Sequence, residues 1–365
     1  MKARHPEPTT PSRRDTDLGK ESGASSLPSA LDPVTDLGLS PEPPGHGLQF
    51  DEKAGIEKLK EYLPPALHPY IDALGDRLEE IVVIKGDYPS FRVDGKEYYA
   101  SWEFTPSELS YLTSKLGEIK SNNRVGIEGT LHRISVRRDV NNIIFGATIR
   151  IGRAIVGLAE PLRGYLMESQ GSILVVGAPG TGKTTLLRDI VRIISDRYGR
   201  RCVVVDSSSE IGGAGQTPHP IIRKASRLPV PDPMQQPQKM LEAVANHSAQ
   251  VVVVDELAWV EDSKVVEIIA GKGVRVIATV HGSNLAEAVQ NPAYFPITGV
   301  NRDLVRRRLV VEKLPVFKVG VEAYALGRIR LYPNLEEAIR KIVEGEKPGY
   351  IDIDLRSGVS ERVGL

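Results

Sequence analysis

The stretch VVGAPGTGKTTLL, Val175–Leu187, constrains the fold more than any other part of the chain. Gly177, Gly182, Lys183 and Thr184 meet every fixed position of the phosphate-binding template G-x-x-x-x-G-K-[ST]. The flanks agree. SILVVG, residues 172–177, is a short apolar run of strand type, and TTLLRDIVRIISDRYG, residues 184–199, sets Leu186, Leu187, Ile190, Ile193 and Ile194 on one helical face. A strand, a glycine-rich turn and a helix in that order converge backbone amides on a phosphate, and the positive end of the helix adds to them. Gly177, Ala178, Pro179, Gly180, Thr181, Gly182, Lys183, Thr184 and Thr185 are therefore the candidate nucleotide-binding residues. Lys183, expected to be exposed in the loop, serves as a mobile cation for the β- and γ-phosphates, and Thr184 offers a hydroxyl to Mg²⁺. Thr185 is expected to face the α-phosphate.

Three further strand ends carry polar chemistry. VVVVDELA places Asp255 and Glu256 at the end of four valines, 72 positions beyond Lys183. An aspartate there can hold the Mg²⁺ that Thr184 also contacts, and the adjacent glutamate can orient an attacking water. RCVVVDSSSEIGG is a second strand ending in acids, with Asp206 and Glu210 at the carboxyl edge where open α/β sheets bind ligands. Glu210 thus competes with Glu256 as the water-orienting base, while Asp206 also suits a turn cap. VRVIATVHGS ends in His281, either a sensor of the γ-phosphate or an ordinary strand-end residue.

The chain is long enough for two domains. Residues 1–49 hold eight of the 26 prolines and no aromatic residue, a composition that cannot offset chain entropy, and they are expected to be a disordered tail. The acids Glu7, Asp15, Asp17 and Glu21 argue against a transit peptide there. Residues 50–153 read as a small α+β domain with two short helices broken at Pro64-Pro65, a hairpin turn near Asp94-Gly95, and a helix from Pro106 capped by Thr105. Residues 154–308 read as the nucleotide domain, with strands separated by helical patterns as in a parallel sheet. Residues 309–365 read as a C-terminal extension of short antiparallel strands and a helix. Lys+Arg and Asp+Glu are both 47, so the balance calls for neither nucleic acid nor an anionic surface, although a local patch is compatible with it. Cys202, the single cysteine, sits in an apolar strand and reads as a small buried residue. No apolar run reaches the length of a bilayer span.

With the four elements in this order, the sequence resembles the RecA-related secretion and pilus-retraction ATPases. It is more closely similar to the stage-three sporulation AA-type ATPases and their cyanobacterial and plastid relatives. RVGIEGTLHRIS (124–135), GRAIVGLA (152–159), DSSSEIGG (206–213), PHPIIRKASRLPVPDP (218–233), MLEAVANHSAQVVVVDE (240–256) and GVRVIATVHG (273–282) carry that resemblance over roughly residues 56–335. It implies a RecA-like P-loop fold, ATP and Mg²⁺ as cofactors, a homo-oligomer of hexamer type, and a location in the chloroplast stroma or, outside photosynthetic eukaryotes, the cytoplasm. It also implies that arginines preceding the nucleotide domain, Arg133 and Arg153 above all, with Arg137 and Arg150 beside them, reach a neighbouring subunit's site; the alternative is a solvated hairpin face with ordinary surface ion pairs. Arg306-Arg307-Arg308 is a second source of such an arginine, or a charged helix end. Many relatives carry an Arg-x-x-x-His nucleic-acid module after the ATPase domain. No histidine follows His281 in this sequence, so its function is not carried over.

The leading expectation is an ATP hydrolase acting on an unidentified protein partner. A nucleotide-regulated binding switch and a nucleic-acid motor are the rivals. Only 5% of the residues are aromatic, which leaves few stacking platforms for single strands.

Overall fold

The computed structural model describes residues 52–117, 119, 123–168 and 171–364, all within one unit, His46–Leu365. The expected tail, residues 1–49, lies outside the described residues. Helices Glu52–Lys60 and His68–Leu74 are separated at Pro64 and Pro65, and Pro65 opens a short 3₁₀ turn, where its missing N–H costs nothing. Six strands follow: β1 Leu78–Ile84, β2 Ser90–Val93, β3 Lys96–Tyr99, β4 Arg124–Gly126, β5 Arg133–Arg138 and β6 Ile144–Arg150. They form an antiparallel sheet in the order β3-β2-β1-β6-β5-β4. Asp94 and Gly95 both take positive φ, the turn whose twist matches paired strands. Helix Pro106–Lys115 begins with a reciprocal cap: the Thr105 hydroxyl accepts from the Glu108 amide, and the Glu108 carboxylate accepts from the Thr105 amide.

The second sheet has nine strands. β7 Ser172–Gly177, β8 Cys202–Asp206, β9 Ser226–Pro229, β10 Val251–Val254 and β11 Arg275–His281 alternate with helices that include Lys183–Tyr198, Gln236–His247 and Val260–Gly271. A separate hairpin, β12 Val300–Asp303 and β13 Arg308–Val311, precedes β14 Phe317–Ala325, β15 Arg328–Tyr332, β16 Tyr350–Asp354 and β17 Ser360–Val363. The order is β17-β16-β15-β14-β7-β11-β10-β8-β9, with β14, β7, β11, β10, β8 and β9 mutually parallel. Parallel strands covered on both faces must be apolar on both, and β7, β8 and β10 are, apart from Ser172 and Asp206 at their ends. Leu174, Val176, Val203, Val205, Val252 and Val254 pack into one core, while Ile173, Val175, Val204, Val251 and Val253 pack into another on the opposite face. Cys202 joins the second core, where burial pushes its thiol up to about 12.

The sequence boundary at Arg308 falls inside the β12–β13 hairpin. β14 lies parallel to β7, so the segment beyond residue 309 continues the nucleotide-binding sheet. Alternation in a sequence says that a segment pairs, but not with which neighbour. Arg306 and Arg307 lie in the hairpin turn and Arg308 begins β13, so the run is not a helix end.

Candidate nucleotide site

Because β7, β8, β10 and β11 are parallel, their carboxyl ends meet at one rim, and His281 stands in register with Gly177 across β11 and β7. The strand carrying His281 is inserted between the P-loop strand and the strand that ends before Asp255. Gly182 is the N-cap of helix Lys183–Tyr198 with φ 87°, a left-handed conformation that a Cβ would strain. Lys183 is 8% exposed, not open to solvent as expected. Its Nζ donates to the carbonyls of Gly177 at 2.6 Å and Ala178 at 3.0 Å. Burial lowers its pKa, opposed by the charges of Glu256 and Asp255.

The acidic wall is built from two loops. Asp206 is buried and accepts the amides of Gly212 at 2.9 Å and Ile211 at 3.5 Å, so it folds the DSSSEIGG turn and takes the turn-cap alternative of its sequence reading. The Ser208 hydroxyl donates to the Asp255 carboxylate and accepts from the Glu210 amide at 3.1 Å. One serine thereby ties the candidate metal ligand to the candidate base. Burial, then the charges of Asp206 and Glu210, raise the Asp255 pKa. Glu256 pairs with His281, Oε1 to Nε2 at 3.0 Å, at the tips of β10 and β11.

The arginines separate. Arg133, at the start of β5, forms an ion pair with Glu210 of its own chain. Its Nε is buried and has no hydrogen-bond partner among the described residues, leaving a donor beside the acidic loop. Arg153 turns away, donating to the Gly75 carbonyl at 3.1 Å. Arg150 pairs with Glu80, and Arg137 donates to Thr148. Arg133 and Arg137 share one face of β5, and Arg150 stands opposite Arg133 in register, so their separate local partners, not the alternation of the strand, divide them. Between the two sheets lies a cavity of about 540 Å³, lined by Arg133, Arg188, Ser208 and Glu210 among others.

Several residues that position the site have no motif to announce them. Arg188, buried on the P-loop helix, donates to the Glu210 carbonyl at 2.5 Å and the Arg153 carbonyl at 2.8 Å. Asp189, fully buried one residue on, accepts from the amides of Gly157 and Ala159 and pairs with Arg192, pinning the linker to the helix. Gly126 passes so close to the acidic loop that a Cβ would sit 2.2 Å from that of Ala214. His132 and His219 are buried at the same seam. Their spacing in the sequence gives no signal, because only the closed fold brings residues 126–132 against residues 213–219.

The oxygen donors of Thr184, Ser208 and Asp255 suit a hard cation. Among the described residues no cluster of three or more His, Cys, Asp or Glu could hold a metal alone. A cation here would draw further ligands from phosphate and water, the habit of Mg²⁺.

The fold and rim together define a P-loop α/β protein with acidic and histidine strand ends. Residues 98–320 match the family described as "Sporulation stage III, protein AA", and the chain belongs to that family. It is 35% identical over 308 residues to "Uncharacterized protein ycf45" of Porphyra purpurea, covering 80% of this chain and 54% of the relative. It is 34% identical over 307 residues to "Protein SEEDLING PLASTID DEVELOPMENT 1" of Arabidopsis thaliana, covering 80% and 45%. The chain thus spans about half the length of these two curated relatives. Among solved structures, the pilus retraction motor PilT with bound ADP aligns at a TM-score of 0.54 and 15% identity, over 77% of this chain and 85% of that one. That likeness is one of fold.

Proposed function

We propose that the chain is a Mg²⁺-dependent ATP hydrolase working as a homo-oligomer, of hexamer type by family resemblance. The observation that carries the reading is the convergence on one sheet rim of the Lys183 loop, Asp255 with Ser208, and Glu210 held by Arg133. The amides of residues 180–184 and Lys183 would hold the phosphates, and Thr184 and Asp255 would hold Mg²⁺, which would supply charge neutralisation there. Glu210 orients the attacking water. Arg133 fixes its carboxylate through their ion pair, and its guanidinium favours negative charge developing nearby. Glu256 and His281 form a second polar pair at the strand tips that reads the phosphate state. Residues 50–153, 154–308 and 309–365 act as three working segments, with the last joined to the nucleotide sheet. The name of the Arabidopsis relative supports a plastid location, and the partner is a protein.

The test is ATP binding and hydrolysis as Mg²⁺ is titrated, for the parent and Lys183→Ala. The parent hydrolyses ATP only with Mg²⁺, and the variant loses binding or turnover. Because Lys183 bonds two loop carbonyls, a thermal melt accompanies the assay. Equal turnover by both proteins overturns the assignment.

A further inference from the structure

The hairpin β12–β13 stands outside both large sheets as a two-stranded ribbon. Asp303 and Arg308 are its last register pair, so residues 304–307 form the apex. The apex is held, not loose: the Asp303 carboxylate accepts from the amides of Val305 at 3.0 Å and Arg306 at 2.9 Å. That capped turn pushes Leu304 and Val305 outward, to 84% and 93% exposure. Arg307 adopts φ 52°, a left-handed conformation unfavourable for a side chain of its size. Two exposed aliphatic residues and a strained arginine gain nothing for the fold.

The charge around the apex is equally one-sided. From Val300 to Val311 there are four arginines against one aspartate, in a protein whose formal net charge is zero. Arg306 lies 3.8 Å from Asp303, whereas Arg302, Arg307 and Arg308 make no ion pair among the described residues. No aromatic residue stands on the hairpin to stack a base. A two-residue aliphatic tip is also far smaller than the roughly 800 Å² per partner of a stable protein interface.

From this geometry we infer that the β12–β13 hairpin docks on an anionic lipid surface, with Leu304 and Val305 entering the interfacial layer and Arg302, Arg306, Arg307 and Arg308 meeting lipid phosphates. Leu304 and Val305 share the apex with Arg306 and Arg307, while Arg302 and Arg308 flank it on the strands, so the apolar pair can pass the headgroup level with guanidiniums around it at the depth of the phosphates. Each arginine near an anionic bilayer contributes about fivefold in partitioning, reduced by salt.

The test is flotation of the full chain with phosphatidylcholine vesicles, with and without phosphatidylglycerol. The parent floats only with phosphatidylglycerol, and added salt weakens it. Arg302→Gln, Arg307→Gln and Arg308→Gln together lower partitioning by about a hundredfold. Leu304→Asp with Val305→Asp abolishes flotation while the melting temperature and ATP turnover stay at parental values. Absence of phosphatidylglycerol-dependent flotation overturns the inference, as does equal flotation of the parent and both variants. If the variants instead lose binding to a single-stranded oligonucleotide, or lower the solution mass without lipid, the hairpin serves nucleic acid or a second copy and the lipid assignment fails.

Discussion

Acid should loosen the seam between the six-stranded sheet and the acidic loop, through His132 and His219. Both are nearly buried, and burial is the first cause that lowers each pKa from 6.5 to about 4. Arg153 and His219 add repulsion at His132. His132 Nδ1 accepts from the Gly152 amide at 3.2 Å and His219 Nδ1 from the Ile221 amide at 3.2 Å, so each ring works as a neutral acceptor. The sign follows from proton counting. Below pH 6.5 the unfolded chain binds protons that the fold refuses until about pH 4, so stability is complete above 6.5 and falls as acid is added. Each histidine withdraws roughly 3 kcal/mol across that window and roughly 2 kcal/mol by pH 5, against a total near 5–15 kcal/mol for a typical domain. The assay is denaturant unfolding between pH 7 and 5 for the parent and for His132→Asn with His219→Asn, which keep an acceptor near Nδ1 and remove the titration. The double variant is less stable at pH 7 but flatter with pH, by about 4 kcal/mol over the interval. An identical pH slope in the two proteins refutes the reasoning.

Gly126→Ala drives a methyl into Ala214 and costs about 1–3 kcal/mol, and Ala214→Gly in the same chain recovers part of it; a double-mutant cycle by urea unfolding measures the coupling. Asp189→Ala leaves Arg192 buried with its inner partner gone and frees the linker amides. It lowers stability by about 3–5 kcal/mol in the same assay. Mixing Lys183→Ala with Arg133→Ala subunits restores no ATPase activity at any ratio, because Arg133 serves the Glu210 of its own chain. Rescue on mixing returns Arg133 to the neighbouring site.

The P-loop and the strand ends are legible in the sequence because their chemistry is local. Gly182 must take its φ, Lys183 must follow it, and Val251–Val254 must be buried on both faces before Asp255 can stand at the rim. The pairing of Arg133 with Glu210 spans 77 positions and depends on how the six-stranded sheet sits against the acidic loop. No periodicity encodes that. Ser208 was hidden for a different reason: three serines in a row offer the same chemistry, and only the turn built by Asp206 selects the one that reaches Asp255. The position of β14 beside β7 was likewise a tertiary choice, open to any apolar strand of sufficient length.

The most direct test of the central claim is single-turnover hydrolysis of Mg²⁺·ATP by Glu210→Gln beside Glu256→Gln, with binding measured on the same samples. Removal of a water-orienting base typically costs about 10²–10⁴-fold in rate. Glu210 is joined to Asp255 through Ser208 and held by Arg133, so Glu210→Gln binds ATP as the parent does and hydrolyses it at least about a hundredfold more slowly. Glu256→Gln, whose parent carboxylate pairs with His281 at the strand tips, retains the larger share of the rate. Parental hydrolysis by Glu210→Gln contradicts the account.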